Sequence, residues 1–72
     1  MDLDWDDLRL VAAIRAEGSA AGAARRLGID QTTASRRLAR LEDVVGLPLF
    51  DRIDRRLVAR PIVEAIAGDL DA

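Results

Sequence analysis

Residues 19–46, SAAGAARRLGIDQTTASRRLARLEDVVG, hold two helical patterns separated by Gly28-Ile29-Asp30. Ser19 is a good N-cap and Gly28 tolerates the left-handed conformation of a helix end, so a short helix is predicted over 20–27. Its interior, Ala20-Ala21-Gly22-Ala23-Ala24, is built of small side chains that let another helix approach closely. Gly22 costs about 1 kcal/mol there relative to Ala. Asp30 stands where it can cap the next helix, which is predicted from Gln31 to about Val45 and is stopped by Gly46. On that helix Ala34, Leu38, Leu41 and Val45 make one narrow apolar stripe. The opposite face carries Thr32, Arg36, Arg40 and Asp43, with Ser35 and Ala39 beside them. Two helices joined by so short a turn, the second with a polar first turn and a basic outer face, have the spacing of a helix-turn-helix.

Working outward, a helix is predicted from Trp5 to Ala16, capped by Asp4, with Asp6 and Asp7 in its first turn and Gly18 just past its end. Trp5, Leu8, Val11 and Ile14 step along one face, which is expected to be core, with Trp5 partly buried. On the other side, Leu49-Phe50 and Leu57-Val58 are apolar pieces separated by the charged stretch Asp51 to Arg56. That pattern predicts a two-stranded hairpin with an Arg-rich tip, packed on the helices by Phe50 and Leu57. Pro61 then opens a further helix on which Ile62, Ile66 and Leu70 align. The expected fold is mainly α: a three-helix core, a short two-stranded β wing and the start of a linker helix. Residues 1–60 form the domain and 61–72 the trailing helix.

A chain of 72 residues has room for one core. It contains no Cys and no His, which excludes disulfides, thiolate metal sites, cysteine nucleophiles and imidazole bases. Adjacent acids such as Asp6 and Asp7, or Glu42 and Asp43, point to different sides of a helix and have no partner base, so no enzyme, metal or cofactor is expected. No apolar run approaches the roughly 18 residues of a membrane helix, and the N-terminus is acidic where a signal peptide would be basic, so a cytoplasmic location is expected. All 11 basic residues are Arg, set against 13 acids for a net charge of -2. The distribution is uneven. Residues 25–60 hold nine arginines and five acids, a balance of +4, and lie between two ends of -3 each. An excess of arginine suits phosphate and guanine recognition, and coding bias explains it as well.

The pieces Leu8-Arg9-Leu10, Glu17-Gly18-Ser19, Ala23-Ala24-Arg25-Arg26-Leu27-Gly28, Gln31, Ser35-Arg36-Arg37-Leu38, Arg40-Leu41-Glu42, Gly46 and Leu49-Phe50-Asp51-Arg52 occur together and in order. Through them the stretch from Asp7 to Arg56 closely resembles the N-terminal winged helix-turn-helix of LysR-type bacterial transcription regulators. The resemblance implies sequence-specific binding of double-stranded DNA, with the helix at 31–45 in the major groove and the wing near the backbone or minor groove. It implies DNA contact by Gln31, Thr32, Thr33, Ser35 and Arg36, and a homodimer formed through the linker helix. It also implies effector sensing by a domain absent from these residues, so the chain is expected to be an excised DNA-binding domain, the alternative being a stand-alone protein that has lost its sensor. The chain departs from the family at Thr32 and Thr33, where Ser, Pro or Ala is more usual. It departs again at Asp54, where a Gly is common at the wing tip, and at Arg60-Pro61-Ile62-Val63, which replaces a Thr-x-Ala-Gly segment.

Residue chemistry supports the same groove assignment. Gln31 suits an adenine edge or a phosphate, Thr32 and Thr33 suit bases or thymine methyl groups, and Arg36 suits guanine O6 and N7. The plain reading of Gln31 and Arg36 is solvated surface. Ser19 and the free amides of its helix form a phosphate site, alongside the simpler role of N-cap. Arg52, Arg55 and Arg56 of the wing suit phosphates or a narrow minor groove, with Asp51 and Asp54 at hand as competing ion-pair partners. Arg25, Arg26, Arg37 and Arg40 read as solvated or structural, Arg25 and Arg26 being the best phosphate candidates among them. The acidic ends motivate an alternative, a protein-interaction winged helix with little DNA affinity.

Overall fold

Asp4 opens the first helix through a reciprocal pair of bonds. Its carboxylate accepts from the Asp7 amide at 2.9 Å, while its own amide donates to the Asp7 carboxylate at 3.4 Å. The computed structural model describes residues 4–65. Helix α1 spans Trp5–Glu17 and ends at Gly18, whose φ of 74° lets its N–H reach the Ile14 carbonyl at 2.7 Å. The buried face of α1 runs through Asp7, Leu10, Val11 and Ile14, and the buried Asp7 carboxylate meets Arg40 of α3 at 3.5 Å. Trp5 lies about 200° around the helix from Asp7, and it is 65% exposed. The expected packing role of Trp5 is thus overturned, Leu8 is only half-buried, and Leu10 takes the central place.

Helix α2, Ala20–Leu27, begins where the Ser19 hydroxyl oxygen accepts from the Gly22 amide at 2.9 Å and ends at Gly28. Its buried residues are Gly22, Ala23 and Ala24, the small side chains that allow α1 and α3 to come close. Helix α3, Gln31–Val45, buries Ala34 and Leu41 and half-buries Leu38 and Val45, as its apolar stripe predicts. Asp30 occupies the N-cap position, but its exposed side chain makes no capping bond, contrary to expectation. Leu10, Ile14, Leu41, Leu49 and Val63 are the largest fully buried side chains, and they fill the centre between the three helices and the C-terminal third of the chain.

Strands β1, Phe50–Ile53, and β2, Arg56–Ala59, pair antiparallel with Arg52 opposite Leu57 and Ile53 opposite Arg56. The strands are longer than the two apolar pieces, so Arg52 and Arg56 are strand residues and only Asp54 and Arg55 form the turn. Both turn residues have positive φ, 51° and 68°, the backbone of a type I′ hairpin turn. Two hydrogen bonds fix the hairpin to the helices, Leu57 N–H to the Gly18 carbonyl at 2.9 Å and Leu49 N–H to Glu42 Oε2 at 2.8 Å, and a third, Arg60 N–H to the Leu49 carbonyl at 2.9 Å, closes the base of the hairpin itself.

Residues 61–65 are helical, with Val63 buried in the core and Ile62 half-buried against it. Ile66 and Leu70 of the expected stripe lie outside the described residues. The Glu64 carboxylate accepts two bonds from Arg15, each 2.9 Å, which clamps this helix onto α1. Among the described residues no helix is long and apolar enough to cross a membrane.

Gly22 is a packing requirement more than a weak point. A Cβ there would stand 2.8 Å from Glu17 Cβ and 3.0 Å from Ser19 Oγ. Gly22→Ala gains about 1 kcal/mol of helix propensity, and overpacking of this kind costs about 1–3 kcal/mol. The variant is expected to melt below the parent in a thermal denaturation scan. Glu64 titrates below the ordinary glutamate range, chiefly because of the Arg15 hydrogen bond. A lowered folded-state pKa means that the clamp's stability contribution is present above the unfolded glutamate pKa and is lost as pH falls through the folded one. NMR titration of the Glu64 carboxyl should show that lowered midpoint, and Arg15→Gln should return it upward.

Candidate nucleic-acid interface

The rotation of α3 follows from its stripe: with Ala34, Leu38 and Leu41 facing inward, Thr32, Arg36 and Asp43 face away from the core. Gln31, Thr32, Ser35 and Arg36 are exposed and Thr33 is half-buried, so the first two turns of α3 offer amide, hydroxyl and guanidinium groups side by side. One flank of α3 looks towards the wing. There Ser35, Ala39 and Arg52 line a shallow groove with Ala20, the first residue of α2. Ser19, immediately before it, uses its hydroxyl oxygen to accept from Gly22, which leaves the hydroxyl hydrogen able to donate outward.

The hairpin register separates the wing arginines. Arg52 shares a face with Phe50 and Leu57 and turns towards α3, and Arg55 sits exposed in the turn. Arg56 lies on the opposite face, its guanidinium against Gly18, in a second groove with Arg15, Val58 and Glu64. The structure therefore brings Arg52 to Ser35 and sets Arg56 apart from them. The competing partners Asp51 and Asp54 do not hold these arginines; Asp51 instead meets Arg60 at 3.9 Å.

Carboxylates are spent on the other arginines. Arg9 meets Asp6 at 4.0 Å, Arg15 meets Glu64 at 2.9 Å, Arg26 meets Glu17 at 3.4 Å and Arg40 meets Asp7 at 3.5 Å. Among the described residues Arg25, Arg36, Arg37, Arg52, Arg55 and Arg56 have no acidic partner. All six fall between positions 25 and 56, in the segment whose charge balance is positive. Three of the adjacent acids have partners: Asp6 meets Arg9, Asp7 completes the capping box of α1 and meets Arg40, and Glu42 accepts from the Leu49 amide. Sequence reasoning misses Glu42 as the tie between α3 and the wing, because its acceptor role depends on a partner seven residues away across a turn. No group of three or more potential metal ligands occurs among the described residues.

The family described as bacterial regulatory helix-turn-helix protein, lysR family, matches residues 5–61. The Mau operon transcriptional activator of Paracoccus denitrificans is 52% identical over 52 residues, covering 72% of this chain and 18% of that protein. The small neutral protease regulatory protein of Streptomyces coelicolor is 48% identical over 68 residues, covering 94% of this chain and 21% of that protein. The chain thus spans about a fifth of the length of these curated relatives. Among solved structures, the CbnR DBD–DNA complex superposes with a TM-score of 0.84 at 26% identity, over 96% of this chain and 79% of that one. Full-length OxyR C199D from Pseudomonas aeruginosa gives a TM-score of 0.83 at 25% identity, over 99% of this chain and 24% of that one.

At the wing tip, Arg55 holds a φ of 68° that non-glycine residues adopt at a cost. Arg55→Gly is expected to raise stability by up to about 1 kcal/mol. A melting curve of the variant against the parent checks this.

Proposed function

The chain belongs to the LysR family of bacterial regulatory helix-turn-helix proteins, and from this we propose that it binds double-stranded DNA sequence-specifically as the DNA-binding module of a transcription regulator. The observation that carries the reading is the set of unpaired arginines on and beside the exposed first turns of α3: Arg36 and Arg37 on the helix itself and Arg52, which lines a groove with Ser35. Likeness to a solved DBD–DNA complex supports it. Membership of a regulator family agrees with the absence of a catalytic role in the sequence reading.

In this proposal α3 enters the major groove, which is wide enough for one helix. Gln31, Thr32, Thr33, Ser35 and Arg36 meet base edges, Arg36 with two hydrogen bonds to a guanine. Ser19, with the first-turn amides of α2, and Arg52 bind backbone phosphates and fix the register. Arg55 reaches the backbone or the adjacent minor groove, while Arg56, lying over Gly18, adds to the local positive field. Residues 1–60 are the DNA-binding domain, and the helix beginning at 61 is the start of a linker that pairs two copies on an inverted repeat. The Arg15–Glu64 clamp supports that role, because it ties the direction of the linker to α1. Effector sensing belongs to a further domain of the longer relatives' kind. The acidic ends that motivated a protein-interaction reading are partly neutralised internally, as in the Arg15–Glu64 and Arg40–Asp7 pairs.

Selection of bound duplexes from a random pool is expected to return a motif with half-site symmetry. Arg36→Ala should cost about 1–3 kcal/mol on the selected site and relax preference at one position. Arg52→Ala should weaken all duplexes evenly and flatten the salt dependence by about one unit of slope. Absence of binding to any duplex at low salt and high micromolar protein would refute the DNA reading in favour of protein interaction.

A further inference from the structure

We propose that Arg37 and Arg9 form a second phosphate site, for the DNA strand opposite the one met by Ser19 and Arg52. The inference rests on the duplex-binding reading above and adds contacts by Arg37, which from sequence reads as solvated or structural, and by Arg9. A helix about 10–12 Å across fills a major groove about 12 Å wide, so both flanks of the inserted helix face a phosphate wall. The wing flank of α3 has Ser35 and Arg52. The other flank, towards α1, carries Thr33, Arg37, Arg40 and Val44 at i, i+4, i+7 and i+11.

On that flank the charges are unequal. Arg40 is drawn to Asp7 at 3.5 Å, whereas Arg37 has no acidic partner among the described residues. Arg37 is half-buried and lines a groove with Arg9, Leu27, Ile29 and Asp6. Leu27 and Ile29 provide an apolar bed for an arginine stem, which limits the rotamers its guanidinium must give up on binding. Arg9 has only Asp6, at the 4.0 Å limit of an ion pair, and both side chains are more than half exposed, so water competes well for this pair. Two guanidinium groups against one carboxylate suit a single phosphate monoanion of a nucleic-acid backbone. The position also fits. Ile29 belongs to the turn that leads into α3, so the groove lies beside the end of the helix that carries Gln31, Thr32 and Thr33. Beyond Leu27 the groove continues to Arg26, which Glu17 already holds at 3.4 Å.

The test is a fluorescence-anisotropy titration of the 72-residue chain with a random-sequence duplex over a series of salt concentrations. Arg37→Gln and, separately, Arg9→Gln are expected to weaken binding about five- to tenfold at low salt and to make the salt slope shallower by about one. Arg37→Gln combined with Arg52→Gln should lose the sum of the two slopes, since the two side chains meet different phosphates. A purely structural role for Arg37 would lower affinity only in step with the folded fraction, read from melting curves, and would leave the slope unchanged. The exposed Arg9 provides the variant least able to disturb the fold. Unchanged slope and affinity in both single variants, with normal binding by the parent, would overturn the second site alone. A double variant no worse than either single one would overturn its independence from the Arg52 contact, and a phosphate-ethylation interference footprint of the bound duplex that shows no protected phosphate on the second strand would overturn its assignment to that strand. Failure of the parent to bind any duplex would instead remove the reading on which the site rests.

Discussion

Gly18 is the point on which the arrangement of the other elements depends. Its left-handed φ ends α1, its carbonyl accepts the Leu57 amide of the wing, and the Arg56 guanidinium occupies the space a side chain would need. An isolated two-stranded hairpin is marginal in water, so the wing acquires a fixed place only through attachments of this kind. The bond from the Leu49 amide to Glu42 is the second attachment, and it comes from α3 itself. The wing is thus tied to both the end of α1 and the last turns of α3. Both ties end at the groove between Ser35 and Arg52, since Glu42 and Leu57 are among the residues that line it.

Much of this was legible because helix ends are written in local chemistry. Asp4, Ser19, Gly18, Gly28 and Gly46 act within a few residues of where they stand, and the observed helices begin and end beside them. The α3 stripe was also readable, since four apolar residues on one side leave a single rotation open. On α1 the same method misplaced the face. Apolar residues occur nearly all round that helix, so its pattern leaves several rotations open, and the one adopted buries Leu10, Val11 and Ile14 together with the polar Asp7. A large hydrophobic residue at position 5 then remains outside in spite of its composition.

The wing was legible as a hairpin but not in its details. Its strands run through charged residues because a two-stranded ribbon has only one covered face, so hydrophobicity marks only part of each strand. The separation of Arg52 from Arg56 depends on pairing register, and the attachment of Arg56 to Gly18 crosses almost forty positions of sequence. Candidate residues on α3 could be found from periodicity, which is a property of one element. Sorting the wing arginines required tertiary contacts, and no local signal carries those.

Charge placement gives the net charge of -2 a different meaning. The acids nearest the core segment are largely engaged with Arg9, Arg15, Arg26, Arg40 and Arg60, and most of these pairs are exposed. Exposed pairs add at most about 1 kcal/mol each, so their larger effect is on where positive charge is left over. At physiological salt a field fades over about 8 Å. A phosphate beside α3 therefore senses the unpaired arginines there much more than the distant acids. Affinity for arbitrary duplex, by contrast, grows with the number of phosphates a protein neutralises. The unpaired arginines on or beside α3, Arg36, Arg37 and Arg52, are few, which keeps the sequence-independent, salt-dependent part of any duplex affinity small.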